Sequence, residues 1–162
     1  PLGHTFTFLD PSEKACAAQV GKLLVSPFTT GEALRELISR SDVLTAEFEN
    51  VPATVAEEVL KERPFYPGTK AFYLGQNRLR EKEFFQTLKI DTPKFCAVNN
   101  RDELLQAAQT LGFPFVLKTT ELGYDGKGQW ILRSEKEMST FEVQAPSIAE
   151  EFISFDRELS II

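Results

Sequence analysis

The sequence predicts an α/β chain in two parts: a parallel sheet covered by helices as far as Pro67-Gly68, then an α+β region built on hairpins. Three observations predict it. Over the first part, short apolar runs alternate with segments of helical spacing, the pattern of strands joined by crossover helices. Further on, two apolar runs flank a stretch with three glycines in six positions, Gly123, Gly126 and Gly128, which gives strand, loop, strand. The composition is that of a globular protein: 42% hydrophobic and 26% charged residues in a chain of 162, enough for one full domain or two small ones.

Thr5 to Leu9 forms the first strand, stopped by Asp10-Pro11. Lys22 to Val25 is the second. Gly31 to Ser39 carries Ala33, Leu34, Leu37 and Ile38 at helical spacing. Val43 to Ala46 is a third strand. Pro52 to Lys61 is a helix with proline in its first turn, directing Val55, Ala56, Val59 and Leu60 inward. Phe65-Tyr66 is a short strand before Pro67-Gly68. Gln76 to Leu88 is a charged helix whose apolar side is Leu79, Phe84, Phe85 and Leu88. Phe95 to Val98 is a strand, and Asp102 to Leu111 a helix with Leu104, Leu105, Ala108 and Leu111 on one face. Ser147 to Glu151 and Glu158 to Ile161 are expected to pair as strands around Ser154-Phe155-Asp156. No internal repeat or low-complexity tract interrupts the chain.

The glycine segment carries the first functional signal. The run Phe113 to Leu117 ends on Lys118, and Gly123-Tyr124-Asp125-Gly126-Lys127-Gly128-Gln129 leads into Trp130-Ile131-Leu132. Glycines let a backbone take unusual dihedrals and approach a ligand closely. Lys118 and Lys127 add positive charge, and backbone N–H groups with lysines suit a polyphosphate. A mobile turn would look similar. Neither the Gly-x-x-x-x-Gly-Lys-Ser/Thr nor the Gly-x-Gly-x-x-Gly pattern is present, so this would be a different way of covering phosphates.

Charge and cysteines narrow the classes. With 18 basic against 24 acidic residues the net charge is −6, which argues against nucleic acid as a main partner. No run of about 18 apolar residues offers a membrane-spanning helix. Cys16 and Cys96 are expected to be free, buried thiols of a cytoplasmic protein, and with His4 the only histidine, expected to be exposed, a zinc site is not predicted. The chain begins Pro1-Leu2-Gly3-His4 and ends Leu159-Ser160-Ile161-Ile162, and is expected to be a piece of a longer protein.

Three polar groupings stand out. Glu47 and Glu49 follow the third strand with a spacing that puts both on one side of an extended chain. They would hold a polar substrate at a strand end, or simply lead into the next helix with Asn50 capping it. Arg78 and Lys82 share one helix face, where they bind an anion, or repel mildly with Glu81 as relief. Glu150, Glu151, Asp156 and Glu158 form an acidic cluster. It would meet ribose hydroxyls and an amino group, or protect a strand edge.

Four blocks together resemble one family. They are Ser41-Asp42-Val43-Leu44-Thr45-Ala46-Glu47-Phe48-Glu49-Asn50-Val51-Pro52, Gln76-Asn77-Arg78-Leu79-Arg80-Glu81-Lys82, the glycine segment Gly123 to Gln129, and Glu150-Glu151-Phe152-Ile153-Ser154-Phe155-Asp156-Arg157-Glu158-Leu159-Ser160. In order and spacing they are similar to 5-(carboxyamino)imidazole ribonucleotide synthase, an ATP-grasp ligase of purine biosynthesis. The resemblance implies a parallel-sheet pre-ATP-grasp domain over residues 1–67, without its first strand and helix, and the first part of an α+β ATP-grasp domain over 68–162. It implies ATP and Mg2+ as cofactors, with the metal ligands expected beyond Ile162. Bicarbonate and aminoimidazole ribonucleotide are the implied substrates, carboxyphosphate the intermediate, and a homodimer the implied assembly. This piece alone is expected to be inactive.

Residue by residue, the resemblance implies that Arg78, Lys82 and Lys118 contact ATP phosphates. Gly123, Tyr124, Asp125, Gly126, Lys127, Gly128 and Gln129 would cover them. Glu150, Glu151, Phe152 and Ile153 would line the adenine pocket, and Glu158 would take the ribose hydroxyls. Tyr124 and Asp125 are the implied catalytic residues near substrate, with Glu47 or Glu49 reaching it from the first domain. Other ATP-grasp enzymes, such as the formate-using glycinamide ribonucleotide transformylase or a biotin carboxylase, remain alternatives, as does an inactive nucleotide-binding module. The Glu-Phe-Glu-Asn-Val stretch and the Tyr-Asp of the glycine segment argue against the first two.

Overall fold

The computed structural model describes residues 3–123, 127–157 and 159. The chain divides into two compact units, Pro1–Tyr73 and Leu74–Ile162.

In the first unit, strand β1 (Thr7–Asp10) and strand β2 (Lys22–Val25) run parallel, joined through a 3-10 turn at Cys16–Gln19. Helix α1 (Glu32–Arg40) follows, then β3 (Leu44–Thr45), helix α2 (Ala53–Leu60) and β4 (Phe65–Tyr66), which pairs in parallel with β3. Helix α3 (Thr69–Gly75) presents Phe72 to Phe65, with ring centroids 5.2 Å apart. Leu34, Ile38, Val55, Ala56, Val59, Phe65 and Phe72 form one buried core. The parallel pairings match the predicted α/β pattern. Leu60, expected inside, is exposed, because Val55, Ala56 and Val59 already fill the stripe that faces the core. The N-cap of α2 is Pro52 and makes no side-chain capping bond, so Asn50 does not cap it.

The second unit opens with helix α4 (Arg78–Thr87), then β5 (Phe95–Val98), helix α5 (Arg101–Leu111), β6 (Phe115–Thr119), β7 (Gln129–Leu132), helix α6 (Glu135–Ser139) and β8 (Ser147–Glu151). Its sheet is antiparallel with order β5-β8-β6-β7. The last strand therefore lies between earlier ones. Val98, Phe115, Leu117, Leu132 and Ala149 bury one face of this sheet with Leu104 and Ala107 of α5 and Met138 of α6. Period two then turns Val116, Lys118, Ile148 and Glu150 to the opposite face, and α4 touches β8.

Several expectations change here. The predicted pairing of 147–151 with 158–161 falls partly on residues outside those described. Among the described residues, β8 pairs with β5 and β6. On α5, Ala107 is buried and Leu105 is exposed, since the inward stripe runs 104, 107, 108 and 111. Helix α4 has no buried residue: Leu79, Phe84 and Phe85 of its expected apolar side are only half-buried, and Leu88 is exposed. The 3-10 turn, α3 and α6 escaped prediction because each is too short for a periodic apolar stripe. Cys16 is exposed on its turn and Cys96, on edge strand β5, is half-buried, so neither thiol is fully enclosed. His4 is exposed, as expected. Among the described residues no helix is long and apolar enough to cross a membrane.

The start of α5 supplies a pH prediction. Asn100 caps the helix, its Oδ1 accepting from Glu103 N at 3.0 Å. The Glu103 carboxylate in turn ties down the preceding chain, accepting from Asn99 N at 2.7 Å and from Asn99 Nδ2 at 2.9 Å. The Asn99 backbone N–H, with the Asn99 side chain second, holds the Glu103 carboxyl below its usual value. A carboxyl depressed in the folded state contributes stability above its unfolded pKa and loses it as pH falls through the folded one. Glu103→Gln should therefore melt below the wild type at neutral pH, and the two curves should merge in acid. Melting temperatures between pH 7 and pH 3 test this; a gap that persists at the acid end would refute it.

Candidate functional site

Strand β6 and helix α4 build the site. Asn77, itself extended between α3 and α4, caps α4, its Oδ1 accepting from Leu79 N and Arg80 N at 3.1 Å each. That cap fixes the start of the helix, along which Arg78 and Lys82, four residues apart, share one face. Lys118 comes from β6, on the sheet face opposite the apolar core. In register it sits across from Ile148, while Glu150 sits across from Val116, so Lys118 and Glu150 are diagonal neighbours.

Three charges meet there. Glu150 is 5% exposed. Its Oε2 accepts from Lys118 Nζ at 2.9 Å and faces Lys82 Nζ at 3.6 Å. The lysine side chains remain accessible, at 26% for Lys118 and 16% for Lys82. A buried carboxylate needs such partners. Among the described residues, two ammonium groups against one carboxylate leave one positive charge in excess, which is what an incoming polyanion requires. The relief for Arg78 and Lys82 is therefore Glu150 and backbone carbonyls, where sequence spacing had suggested Glu81. The strand-edge explanation of Glu150 is overturned, because β8 is an interior strand.

Arg78 turns to the backbone. Its Nη1 donates to the Thr119 carbonyl at 2.8 Å, its Nη2 donates to the Gly123 carbonyl, and its own amide donates to the Thr120 carbonyl at 2.9 Å. Beside it, Glu121 Oε1 accepts from Asn77 Nδ2 at 2.9 Å and Arg80 Nη2 at 3.0 Å. The start of the glycine segment is thus tied to the start of α4.

The remaining predicted residues are spread differently. Gly128 carries φ +68° and its carbonyl accepts from Thr119 N at 2.8 Å, while Gln129 pairs with Lys118 across the hairpin. Lys127 is exposed. Lys118 lies on the strand and not in the loop. Glu151 donates its backbone N–H to the Lys94 carbonyl at 2.8 Å, and Phe152 and Ile153 are exposed beyond β8. Glu47 and Glu49 belong to the first unit. There the chain leaves extended geometry after Thr45 and enters a bend and turn, so the period-two argument for a shared side does not hold. Both are exposed. Tyr124, Asp125, Gly126 and Glu158 lie outside the described residues. A cavity of about 420 Å³ bordered by Thr119, Trp130, Phe141 and Ser147 is lined, among the described residues, by none of the predicted site residues.

The ribonucleotide synthetase preATP-grasp domain family matches residues 1–76, and the ATP-grasp domain family matches residues 83–162. The N5-carboxyaminoimidazole ribonucleotide synthase of Pseudomonas aeruginosa is 39% identical over 165 aligned residues, spanning 100% of this chain and 46% of that protein. The chain belongs to the N5-carboxyaminoimidazole ribonucleotide synthase family. It spans about half the length of the curated synthases it matches. The crystal structure of the synthetase from Thermus thermophilus superposes with a TM-score of 0.88 at 40% identity, covering 97% of this chain and 43% of that one. A synthase from Aspergillus clavatus, solved with ADP and 5-aminoimidazole ribonucleotide, gives a TM-score of 0.77 at 26% identity, covering 91% and 40%.

Within this synthase fold, the residues that sequence reading missed are Thr119, Glu121 and the cap Asn77. Asn77 carried a signal, an asparagine directly before a helical run. Thr119 and Glu121 carried none, since their partners are set by tertiary contact. Gly128 yields a prediction. A Cβ there would lie 2.6 Å from Thr119 Oγ1, and φ +68° is itself unfavourable for an L residue. Gly128→Ala should cost about 1–2 kcal/mol from the backbone alone, read as a lower urea midpoint. An unchanged midpoint would show that the hairpin accepts the side chain.

Proposed function

We propose that the full-length protein carboxylates 5-aminoimidazole ribonucleotide, using ATP and bicarbonate, and yields 5-(carboxyamino)imidazole ribonucleotide, ADP and phosphate. One observation carries the reading: in a chain of this family, Lys82 and Lys118 converge on a single buried carboxylate beside the glycine hairpin. Two part-buried ammonium groups whose shared counter-ion is one glutamate can turn to a polyphosphate with more negative charge. In a half-buried setting each such contact is worth more than in water.

ATP would phosphorylate bicarbonate on oxygen, giving carboxyphosphate and ADP. The amine of the ribonucleotide would then take the carboxyl carbon and release phosphate. Such transfers depend chiefly on positioning and charge neutralisation. Carboxyphosphate hydrolyses in water, so the site must also exclude solvent. In this reading Lys82 and Lys118 hold phosphate oxygens. The glycine segment from Gly123 to Gln129, with Lys127 among its members, covers them, and Tyr124 and Asp125 lie near the reacting groups. Glu150, Glu151, Phe152 and Ile153 border the base, Glu158 meets the ribose, and Glu47 or Glu49 meets the substrate. The preATP-grasp domain would comprise residues 1–67 and the ATP-grasp domain would begin at 68. Magnesium would accompany the nucleotide. Among the described residues no group of three or more acidic, histidine or cysteine side chains gathers to hold it.

The test is ADP release by the full-length protein with ATP, magnesium and bicarbonate, with and without 5-aminoimidazole ribonucleotide. Release stimulated by the ribonucleotide is the expected result. Nucleotide binding without stimulation would overturn the choice of acceptor and leave an ATP-grasp ligase for a different one.

A further inference from the structure

We infer that Arg78 is a positioning residue: it acts on the backbone between Thr119 and Gly123, holding the strand end that carries Lys118, and its planar fork matters more than its charge. The catalytic consequence rests on the nucleotide reading of the site; the structural consequence does not. Arg78 engages three carbonyls of one short segment, Thr119 and Gly123 through the guanidinium and Thr120 through its amide. The guanidinium thereby bridges the two ends of a turn. Inside that turn Leu122 takes φ +58°, a left-handed conformation unusual for leucine, which persists only where the surroundings enforce it.

The glycine at 123 fits the same account. A Cβ built there would lie 2.8 Å from Arg78 Nη1 and 3.0 Å from Thr119 Oγ1. Gly123 is therefore small because the guanidinium lies across it. Gly128, on the other side of the hairpin, is small because Thr119 lies against it. Arg78, Gly123, Thr119 and Gly128 pack as one interlocked unit. Glu121 adds a second tie through Asn77 and Arg80. A guanidinium can bridge two carbonyls in fixed geometry; an ammonium on a flexible stem holds a point charge in place but not that bridge. This separates the inference from a simple phosphate contact, which a lysine would partly preserve.

The experiment compares Arg78→Lys and Arg78→Ala in the full-length protein by two measurements. The first is amide hydrogen exchange at Thr119 and Thr120 without nucleotide. The second is steady-state kinetics in ATP. The expected result is faster exchange in both variants. With it, kcat/KM for ATP should fall about tenfold or more, mostly through KM, and Arg78→Lys should be no better than Arg78→Ala. Wild-type kcat/KM in Arg78→Lys together with a loss in Arg78→Ala would overturn the inference, since charge alone would then suffice. Unchanged exchange in both variants would overturn it as well. If the wild-type protein turned over no ATP, the nucleotide reading would fail, and exchange alone would decide the role of Arg78. If Arg78→Lys did not fold, Gly123→Ala, which displaces the guanidinium and keeps its charge, would be read by the same exchange, with faster exchange expected and wild-type exchange overturning the inference.

Discussion

Phe115→Ala is expected to destabilise the second unit by about 3–5 kcal/mol, the usual cost of emptying a fully buried phenylalanine site. Phe115 is wholly buried on β6, between β7 and β8, and its ring packs 5.5 Å from that of Phe113. It shares its core with Leu117, Leu104, Met138 and Ala149. The hole would open under the middle of the sheet, where hydrogen bonds on both sides keep the strand from collapsing into it. Trp130, the one tryptophan of the chain, is on β7 of the same sheet and reports unfolding directly. Urea unfolding followed by its fluorescence should show the midpoint falling sharply. A cost below about 1 kcal/mol would mean that the core repacks, and would contradict the close packing described.

Lys118→Met is expected to lower kcat/KM for ATP in the full-length protein by about a hundredfold, the scale of losing one charged contact to a reacting group. The same change removes the 2.9 Å partner of buried Glu150 and leaves it, among the described residues, Lys82 at 3.6 Å, so stability should fall too. The two effects separate in a double variant. Lys118→Met with Glu150→Gln removes the uncompensated carboxylate and should recover most of the lost stability while activity stays low. Recovery of both would show that Lys118 acts only through Glu150 and would remove it from the phosphate site. Loss of stability without loss of activity would do the same.

Much of this architecture was legible in the chain. The alternation of apolar runs with helical stretches before Pro67 marked parallel strands, and the paired apolar runs around the glycines marked β6 and β7. These are local signals: period, turn residues and breakers act within a few positions. The ordered blocks around Glu47, Arg78, Gly123 and Glu150 pointed to the family because each keeps its residue types at fixed spacing.

The partners were not legible. Glu150 looked like one member of an acidic cluster, yet it is the shared counter-ion of Lys82 and Lys118, the latter 32 positions away. Arg78 read as a cation for an anion or for Glu81, yet its guanidinium spans 45 positions to the Gly123 carbonyl. Glu47 and Glu49 looked extended, yet the chain turns after Thr45. By itself, then, the sequence determined which segments become strands and helices, which residues bring charge, and to which family the order of its blocks belongs. Only the tertiary structure decided who meets whom. The strand order β5-β8-β6-β7 inserts the last strand between earlier ones. The register that sets Lys118 diagonal to Glu150 comes from cross-strand hydrogen bonding and burial over the whole sheet, which no local spacing encodes.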